Sequence, residues 1–331
     1  MAKYIIRRLG ISLVILLIVT FLIYSLLRLL PASYVETMAQ QLSQAPGAKP
    51  YEQWVAELNR QYGLDTGVVQ GYFVQLGNML TGNFGDSWKY AVPVTEKFRE
   101  VLGVSVVMGG ASFLLELLIA IPLGVLAATK HRSPGDHALS VAALLGTCLP
   151  AFFFATVLKL IFSVKLGWFD LFGLVGRDHA LLSPGGKILD IISHLVLPVV
   201  TLTVISAGSL MRYTRTNMLE VLGADYIRTA RAKGASSGRV VLRHGFRNTL
   251  IPLVTVLGDS LPGLFAGALV TETLFAIPGI GFTAYQAMVA GDIPFSMFYL
   301  TFLAALTLLG NLLADVLYAV VDPRVRLGGS A

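Results

Sequence analysis

The sequence predicts an all-α integral membrane protein, and three observations lead to that prediction. Of its 331 residues, 55% are hydrophobic and only 13% are charged, whereas about 25% of residues are charged in ordinary globular domains. The mean hydropathy is correspondingly high, at +0.72. Apolar runs of about 20 residues, the length that a helix needs to cross the hydrocarbon core, recur along the chain.

Six of these runs are long enough to span a bilayer, which predicts six transmembrane helices. They cover residues 9–30, 102–128, 139–164, 189–210, 249–275 and 295–321. The first run follows Lys3, Arg7 and Arg8, as the apolar core of a secretory signal peptide would. Because such a core is only about 7–15 residues long, we interpret the run as a retained membrane anchor.

Lys and Arg residues near the ends of the spans indicate which side faces the cytoplasm. The basic residues before the first span, in the turn 130–132, in the segment 212–247 and in the tail 324–326 fall on one side of a six-span chain. That side is predicted to be cytoplasmic, with both termini on it. The segment 212–247 has eight basic and two acidic residues, a surplus that equals the net charge of +6 for the whole chain.

The spans divide the chain into an N-terminal tail with the first helix (1–31), an extracytoplasmic cap (32–101) and a core membrane domain (102–331) with a cytoplasmic loop at 212–248. Within the cap, Trp54, Val55, Leu58 and Tyr62 recur at helical spacing. We interpret this stretch as an amphipathic helix that lies on the membrane domain. It either packs there and does nothing more, or it seats a partner protein on the outer face.

The cytoplasmic loop has the pattern of two short helices separated by a glycine. Tyr226, Ile227 and Ala230 share one helical face, and Gly234 is suited to the left-handed conformation that ends a helix. A second helix can begin with Ser236 or Ser237 as its N-cap. That helix places basic residues at successive i+4 positions, namely Arg239, Arg243 and Arg247.

Two interpretations of this loop stay open on these grounds. Juxtamembrane basic residues arise from topology and from attraction to anionic headgroups, which is worth about 1 kcal/mol per charge. A helix–glycine–helix with small residues between the charges, at Ala230, Ala232 and Gly234, instead suits insertion into a cleft on a partner protein.

The run "LMRYTRTNMLEVLGADYIRTARAKGASSGRVVLRHGFRNTLIP" (210–252) resembles the cytoplasmic EAA-type loop of permease subunits of ATP-binding-cassette importers, in the dipeptide, oligopeptide and nickel branch. "TETLFAIPGIG" (271–281), "GDIP" (291–294) and "NLLADVLYAVVDPRVR" (311–326) are similar to the closing segments of the first permease of that branch. The resemblance covers nearly the whole chain.

This resemblance implies a type I importer permease of six transmembrane helices in a bacterial cytoplasmic (inner) membrane. The chain would form half of a translocation path for short peptides, or in related systems for nickel, glutathione or oligosaccharides. A second permease, two cytoplasmic ATPases and an extracytoplasmic solute-binding protein would be its partners, and nucleic acid would not. ATP and Mg²⁺ would bind to the ATPases, and this chain would hold no cofactor.

The resemblance also implies a coupling helix that docks on an ATPase. Its residues would be Asp225, Tyr226, Ile227, Arg228, Ala230, Arg231, Lys233 and Gly234. Tyr226, Ile227 and Ala230 would form the apolar contact, with the basic side chains around them. Arg228 and Thr229 stand where the general importer loop has Glu-Ala, which weakens the link to sugar importers.

The sequence contains no G-x-x-x-x-G-K-[ST] phosphate loop, so the energy for transport must come from another chain. Its five His residues are scattered without metal-ligand spacing, and Cys148 is the only cysteine. We therefore expect neither a metal site nor catalysis.

Charged side chains inside the predicted spans are functional candidates, because burying a charge in a membrane is costly. Glu116 could line the path or pair with Lys159. Asp259 precedes the helix-loosening Pro262–Gly263, so it could line a cavity in the path or lie satisfied in a kinked core helix. Asp315 could bond its own helix or a neighbouring one.

Glu272 lies nearer the end of its span. The apolar stretch that follows, with Pro278 and Gly279, suits either a re-entrant outer gate or an ordinary turn.

Two other classes compete with the transport subunit. A secondary transporter or channel could be driven by Glu116, Lys159 and Asp259, but the two halves of the chain show no inverted sequence repeat. A membrane-embedded signalling or scaffold protein would use the basic loop as a docking site without transport.

Overall fold

The computed structural model describes residues 2–29 and 34–321; within these ranges it leaves the side chains of 2–5, 250–252, 254–259, 261, 267 and 317–321 undescribed. The described residues are mainly helical and contain no strand, only an isolated bridge between Asp86 and Pro93. The helices are α1 (Ala2–Leu29), α2 (Tyr34–Ser43), α3 (Tyr51–Gln61), α4 (Val68–Leu80), α5 (Val94–Thr129), α6 (Pro134–Cys148), α7 (Ala151–Leu158), α8 (Pro184–Gly223), α9 (Asp225–Ala232), α10 (Ser237–Arg239), α11 (Arg247–Phe275), α12 (Ile280–Val289) and α13 (Ile293–Val321).

Among the described residues, four helices are long and apolar enough to cross a membrane, and counting each of two bent helix pairs as one span gives up to six. The four single candidates overlap α1, α5, α8 and α13, which match the first, second, fourth and sixth predicted runs. The all-helical membrane fold predicted from the sequence is therefore confirmed.

The third predicted run, 139–164, is not the uninterrupted span that we expected. It divides into α6 and α7, whose axes differ by 104°, and π-helical residues Lys159–Lys165 follow α7. The break has a local cause, because a proline disfavours the helical conformation of the residue before it. Leu149 precedes Pro150 and adopts extended backbone angles (φ −74°, ψ 126°).

The fifth predicted run corresponds to α11. The chain then bends by 77° between α11 and α12. A π-helical segment, Val240–Phe246, joins α10 to α11, so the second helix of the basic loop continues directly into a span. Ser236 is the N-cap residue of α10, as expected. The bend at 276–279 fits either a broken span or a re-entrant element, so the outer gate stays a prediction.

The core of the membrane domain is built around α8, which contacts α5 and α6. Small residues at these contacts allow close approach. A Cβ atom at Gly124 of α5 would lie 2.7 Å from the carbonyl oxygen of Met211, and one at Gly208 of α8 would lie 2.5 Å from that of Ala143 in α6. Small residues at such contacts let helix backbones pack together in membranes.

The cap contains α2, α3 and α4. The helix predicted around Trp54 is confirmed as α3, but its apolar face does not lie on the membrane domain. Leu58 instead packs against Val35 and Ala39 of α2, because the cap has a small hydrophobic cluster of its own. Helix α4 provides the contact with the membrane domain, through Tyr72 packed against α1.

A buried carboxylate joins the cap to the core. Asp292 accepts hydrogen bonds from the Ser87 hydroxyl, from the Lys89 amide (3.1 Å) and from the Phe295 amide (3.1 Å), the last as the N-cap of α13. Tyr90 donates from its hydroxyl to the Thr283 carbonyl of α12 (3.1 Å). Burial, reinforced by the Asp292 charge, raises the pKa of Tyr90 to about 12, so this donor stays neutral at physiological pH.

Candidate functional site

A cavity of about 510 Å³ opens on the membrane domain between α5, α7, α8 and α11. From α8 it receives Ser206, Ser209 and Tyr213, which recur at i, i+3 and i+7 and so share one face of the helix. From α5 it receives Ser112 and Glu116, four residues apart. Its described residues thus form a largely apolar surface with hydroxyl groups and one carboxylate.

Glu116 is the acidic side chain on this wall. It is 8% exposed, and it makes no hydrogen bond or ion pair with any other residue that the structure describes. The sequence left open whether Glu116 lines a path or pairs with Lys159. The structure places it on the cavity wall.

Lys159 lies elsewhere, in the π-helical segment that follows α7. Its ammonium group donates to the Leu274 carbonyl oxygen (2.6 Å) and lies 3.7 Å from the centre of the Phe172 ring. A cation over an aromatic face is stabilised by the ring quadrupole. Lys159 therefore stabilises the outer loop and is not the partner of Glu116.

Asp259 lies in α11, but its side chain is outside the described residues. Its neighbours Ser260 and Gly263 line the cavity. A role for Asp259 in the path stays a prediction.

Glu272 is completely buried at the outer end of α11 and has several donors. It accepts from the Ser105 hydroxyl of α5 (2.5 Å) and from the Phe282 amide of α12 (2.9 Å). Ser105 in turn accepts from the Ile280 amide (2.7 Å). Glu272 thus holds the start of α12 against α5, and it lies behind the bend instead of on the cavity wall.

Pro278 and Gly279 form the bend that Glu272 supports. Gly279 is buried and a Cβ atom there would overlap the Glu272 carboxylate, whereas Pro278 is exposed. Ala276 takes a left-handed conformation (φ 50°) to end α11. Among the described residues, neither Pro278 nor Gly279 reaches the cavity wall, so a gating role for either one stays a prediction.

The basic loop forms a short helix, α9, that projects from the end of α8. Gly234 has a φ of 80°, and the amides of Ala235 and Gly234 donate to the carbonyls of Ala230 (3.2 Å) and Arg231 (2.9 Å). This pair of bonds is a Schellman motif, which ends a helix at a left-handed residue. The predicted stop at Gly234 is confirmed, although α9 itself ends two residues earlier.

The faces of α9 differ from the expected arrangement at one residue. Tyr226 is 46% exposed, but Ile227 is completely buried, because α9 lies back against α8 and the π-helical segment. Ile227 therefore supports the loop from inside, and its place in an apolar docking contact stays a prediction. Of the other residues predicted to dock, Ala230 is partly exposed and the rest are exposed, namely Asp225, Tyr226, Arg228, Arg231, Lys233 and Gly234.

The sequence reasoning missed an ion pair beside this loop. The buried carboxylate of Asp136 accepts two hydrogen bonds from Arg215, from Nε at 2.6 Å and from Nη2 at 2.8 Å, and a third from the Arg132 amide (2.9 Å). Bidentate pairs of this kind are geometrically specific. The pair joins the start of α6 to the part of α8 that leads to α9.

It also missed a network between α8 and the loop that precedes it. His179 lies 2.5 Å from the Asp190 carboxylate, and His194 lies 2.8 Å from the Asp190 carbonyl and 3.1 Å from the Asp170 carboxylate. These residues join the outer loop to α8. In the part of the chain that the structure describes, no three His, Cys, Asp or Glu side chains are placed to hold a metal ion.

Comparison with known proteins gives the class to which this helical bundle belongs. Residues 120–327 match the family described as the binding-protein-dependent transport system inner membrane component. The chain belongs to this family, and it is a multi-pass membrane permease subunit.

Its relatives place the chain more narrowly within that family. It is 38% identical to the oligopeptide transport system permease protein AppB of Bacillus subtilis, covering 98% of this chain and 100% of that protein. It is 36% identical to the di/tripeptide transport system permease protein DppB of Pseudomonas aeruginosa, covering 98% and 99% respectively. The dipeptide transport system permease protein DppB of Escherichia coli K12 is 34% identical, with the same coverage. The chain is therefore similar along its whole length to B-type permeases.

The fold agrees with this placement. A chain of the MetNI methionine ABC transporter, solved in inward-facing conformations, superposes with a TM-score of 0.50 and 18% identity, covering 69% of this chain and 97% of that one. At this identity the likeness shows the fold alone, which is that of a type I importer permease.

Proposed function

We propose that this chain forms half of the translocation path of an ATP-driven importer of short peptides. The continuity of α8 is the observation that carries this proposal. One helix runs from Pro184 to Gly223, lines the cavity with Ser206, Ser209 and Tyr213, and leads into α9 through a single residue, Ala224. A displacement of α9 is thereby transmitted to the cavity wall.

The cargo is inferred from the relatives. The three described above are named for the transport of oligopeptides, di- and tripeptides, and dipeptides, and each matches almost the whole chain. The mixed wall of the cavity agrees with such cargo, because a peptide presents amide groups and varied side chains together.

The remaining parts of the machinery are supplied by other chains. A second related permease completes the path, two cytoplasmic ATPases hold ATP and Mg²⁺ and bind the exposed face of α9, and a solute-binding protein delivers cargo to the outer face. This chain itself hydrolyses nothing. Its basic loop and both termini face the cytoplasm, in keeping with the Lys and Arg distribution.

The test is uptake of labelled trialanine by proteoliposomes that contain the co-expressed complex, with ATP and Mg²⁺ on the ATPase side. We expect accumulation that requires ATP, Mg²⁺ and the solute-binding protein together. Accumulation without ATP and without binding protein would instead indicate a secondary transporter or channel. ATP-dependent uptake of nickel, glutathione or an oligosaccharide, with none of trialanine, would reassign the cargo.

A further inference from the structure

The unpartnered carboxylate of Glu116 leads to an inference about how cargo is recognised. Its side chain is buried on the cavity wall, and the described residues offer it neither a hydrogen bond nor an ion pair. A charged group within a membrane is costly unless a partner compensates it. Glu116 therefore requires a partner from outside the described part of this chain.

The basic residue that could have paired with Glu116 has other partners. Lys159 donates to the Leu274 carbonyl and lies over the Phe172 ring. Among the described residues that line the cavity there is no Lys, Arg or His. A positive partner for the Glu116 carboxylate would have to come from outside these residues, from cargo or from another chain.

The rest of the wall indicates the chemistry of that partner. Ser206 and Ser209 are exposed beside Glu116, and the apolar Leu202 and Ile205 lie between and around them. His and Cys, the side chains that favour a nickel ion, are absent from the described wall. The volume of about 510 Å³ falls in the range of small-ligand pockets, about 300–1,000 Å³.

We propose that Glu116 is the counter-ion for the α-ammonium group of a peptide in transit, so that this half of the path selects for cargo with a free amino terminus. The inference rests on the proposed function. An α-amino group is mainly protonated at neutral pH, and an ammonium–carboxylate hydrogen bond is about twice as strong as a neutral one. The hydroxyl groups of α8 would then contact the peptide amides.

The test compares trialanine with N-acetyl-trialanine in the reconstituted complex, using one preparation of binding protein throughout. The variants are Glu116→Gln, which keeps the shape and removes the charge, and Glu116→Asp, which keeps the charge. Glu100→Gln is the matched control, because Glu100 is exposed on the same helix. The readout is the uptake ratio of the free to the acetylated peptide, since the binding protein's own preference cancels between variants.

We expect Glu116→Gln to lower that ratio about tenfold, Glu116→Asp to restore most of it, and Glu100→Gln to leave it unchanged. An unchanged ratio in Glu116→Gln would overturn the inference, and so would an equal loss of uptake for both peptides. Failure of Glu116→Gln to assemble with the second permease, seen by gel filtration, would show that Glu116 pairs across that interface instead. If the wild-type complex takes up no peptide, the proposed function falls and the inference falls with it.

Discussion

At the scale of single residues, buried carboxylates join helices to one another and to the cap, each through its own set of donors. Asp292 receives three hydrogen bonds that join the cap to the start of α13, and Glu272 joins α11, α12 and α5. Glu116 differs from both because it has donors from none of the described residues. The first two therefore stabilise the structure, and the third is available to a ligand.

Replacing Asp292 by Ala should destabilise the protein by about 1–3 kcal/mol, because buried donors lose their acceptor and α13 loses its N-cap. Thermal unfolding of the purified protein in lipid nanodiscs measures the change. Asp86→Ala, at an exposed position of the cap, is the control and should leave the midpoint within error. Equal midpoints for the two variants would contradict the role given to Asp292.

The residue scale also shows how far the sequence could predict the site. Asp292 is readable as an N-cap because it precedes Ile293 and Pro294. Its hydrogen bond with Ser87 joins residues 205 positions apart, and local sequence patterns do not predict such a contact. The sequence shows Glu116 as a charge within an apolar run. Only the fold shows that it has no partner among the described residues.

At the scale of helices, local patterns were predictable and their packing was not. Gly234 ends α9 because its φ of 80° suits a residue without a side chain, and that signal is local. The burial of Ile227 depends on where α9 lies against α8 and the π-helical segment, so helical periodicity alone could not predict it. The break at Pro150 was missed because prolines are tolerated inside spans, as Pro122 and Pro198 are here.

Gly124 provides a test of the contact between α5 and α8. Gly124→Ala should destabilise the membrane domain by about 1–3 kcal/mol, because the added methyl group overlaps the backbone of α8. Gly110→Ala lies in the same helix with open space around it and should have no such effect. Thermal unfolding in nanodiscs, without denaturant, measures the stability of both variants. An equal loss of stability in Gly110→Ala would argue against the close contact.

The exposed and buried faces of α9 give a second prediction. In a Cys148→Ser background, a bifunctional maleimide should link Tyr226→Cys and Arg231→Cys to an ATPase subunit, because both positions are exposed. Ile227→Cys, one residue away and fully buried, should not be linked. Gel mobility of the linked product is the readout. Linking at position 227 but not at 226 or 231 would mean that α9 exposes its opposite face in the complex.

At the scale of the whole molecule, the basic loop and the outer loops must lie on opposite sides of the membrane. In the Cys148→Ser background, a membrane-impermeant maleimide applied to spheroplasts should label Leu181→Cys, which is 86% exposed. It should label Ser237→Cys, also exposed, only after the membrane is permeabilised. Labelling of Ser237→Cys in intact spheroplasts would reverse the orientation.

The central claim is that α9 transmits the energy of ATP hydrolysis in partner chains to a peptide path in this one. The most direct test is ATP hydrolysis by the complete complex in lipid, with and without peptide-loaded binding protein, for the wild type, Gly234→Asn and Gly234→Val. No atom lies within 4 Å of a Cβ placed at Gly234, so a substitution acts through the backbone. Asn tolerates the left-handed conformation, whereas a β-branched residue does not.

We predict that peptide-loaded binding protein stimulates hydrolysis in the wild type and in Gly234→Asn. In Gly234→Val the stimulation should be lost while the complex still assembles in the membrane. Equal stimulation in all three proteins would contradict the claim that this loop couples hydrolysis to transport.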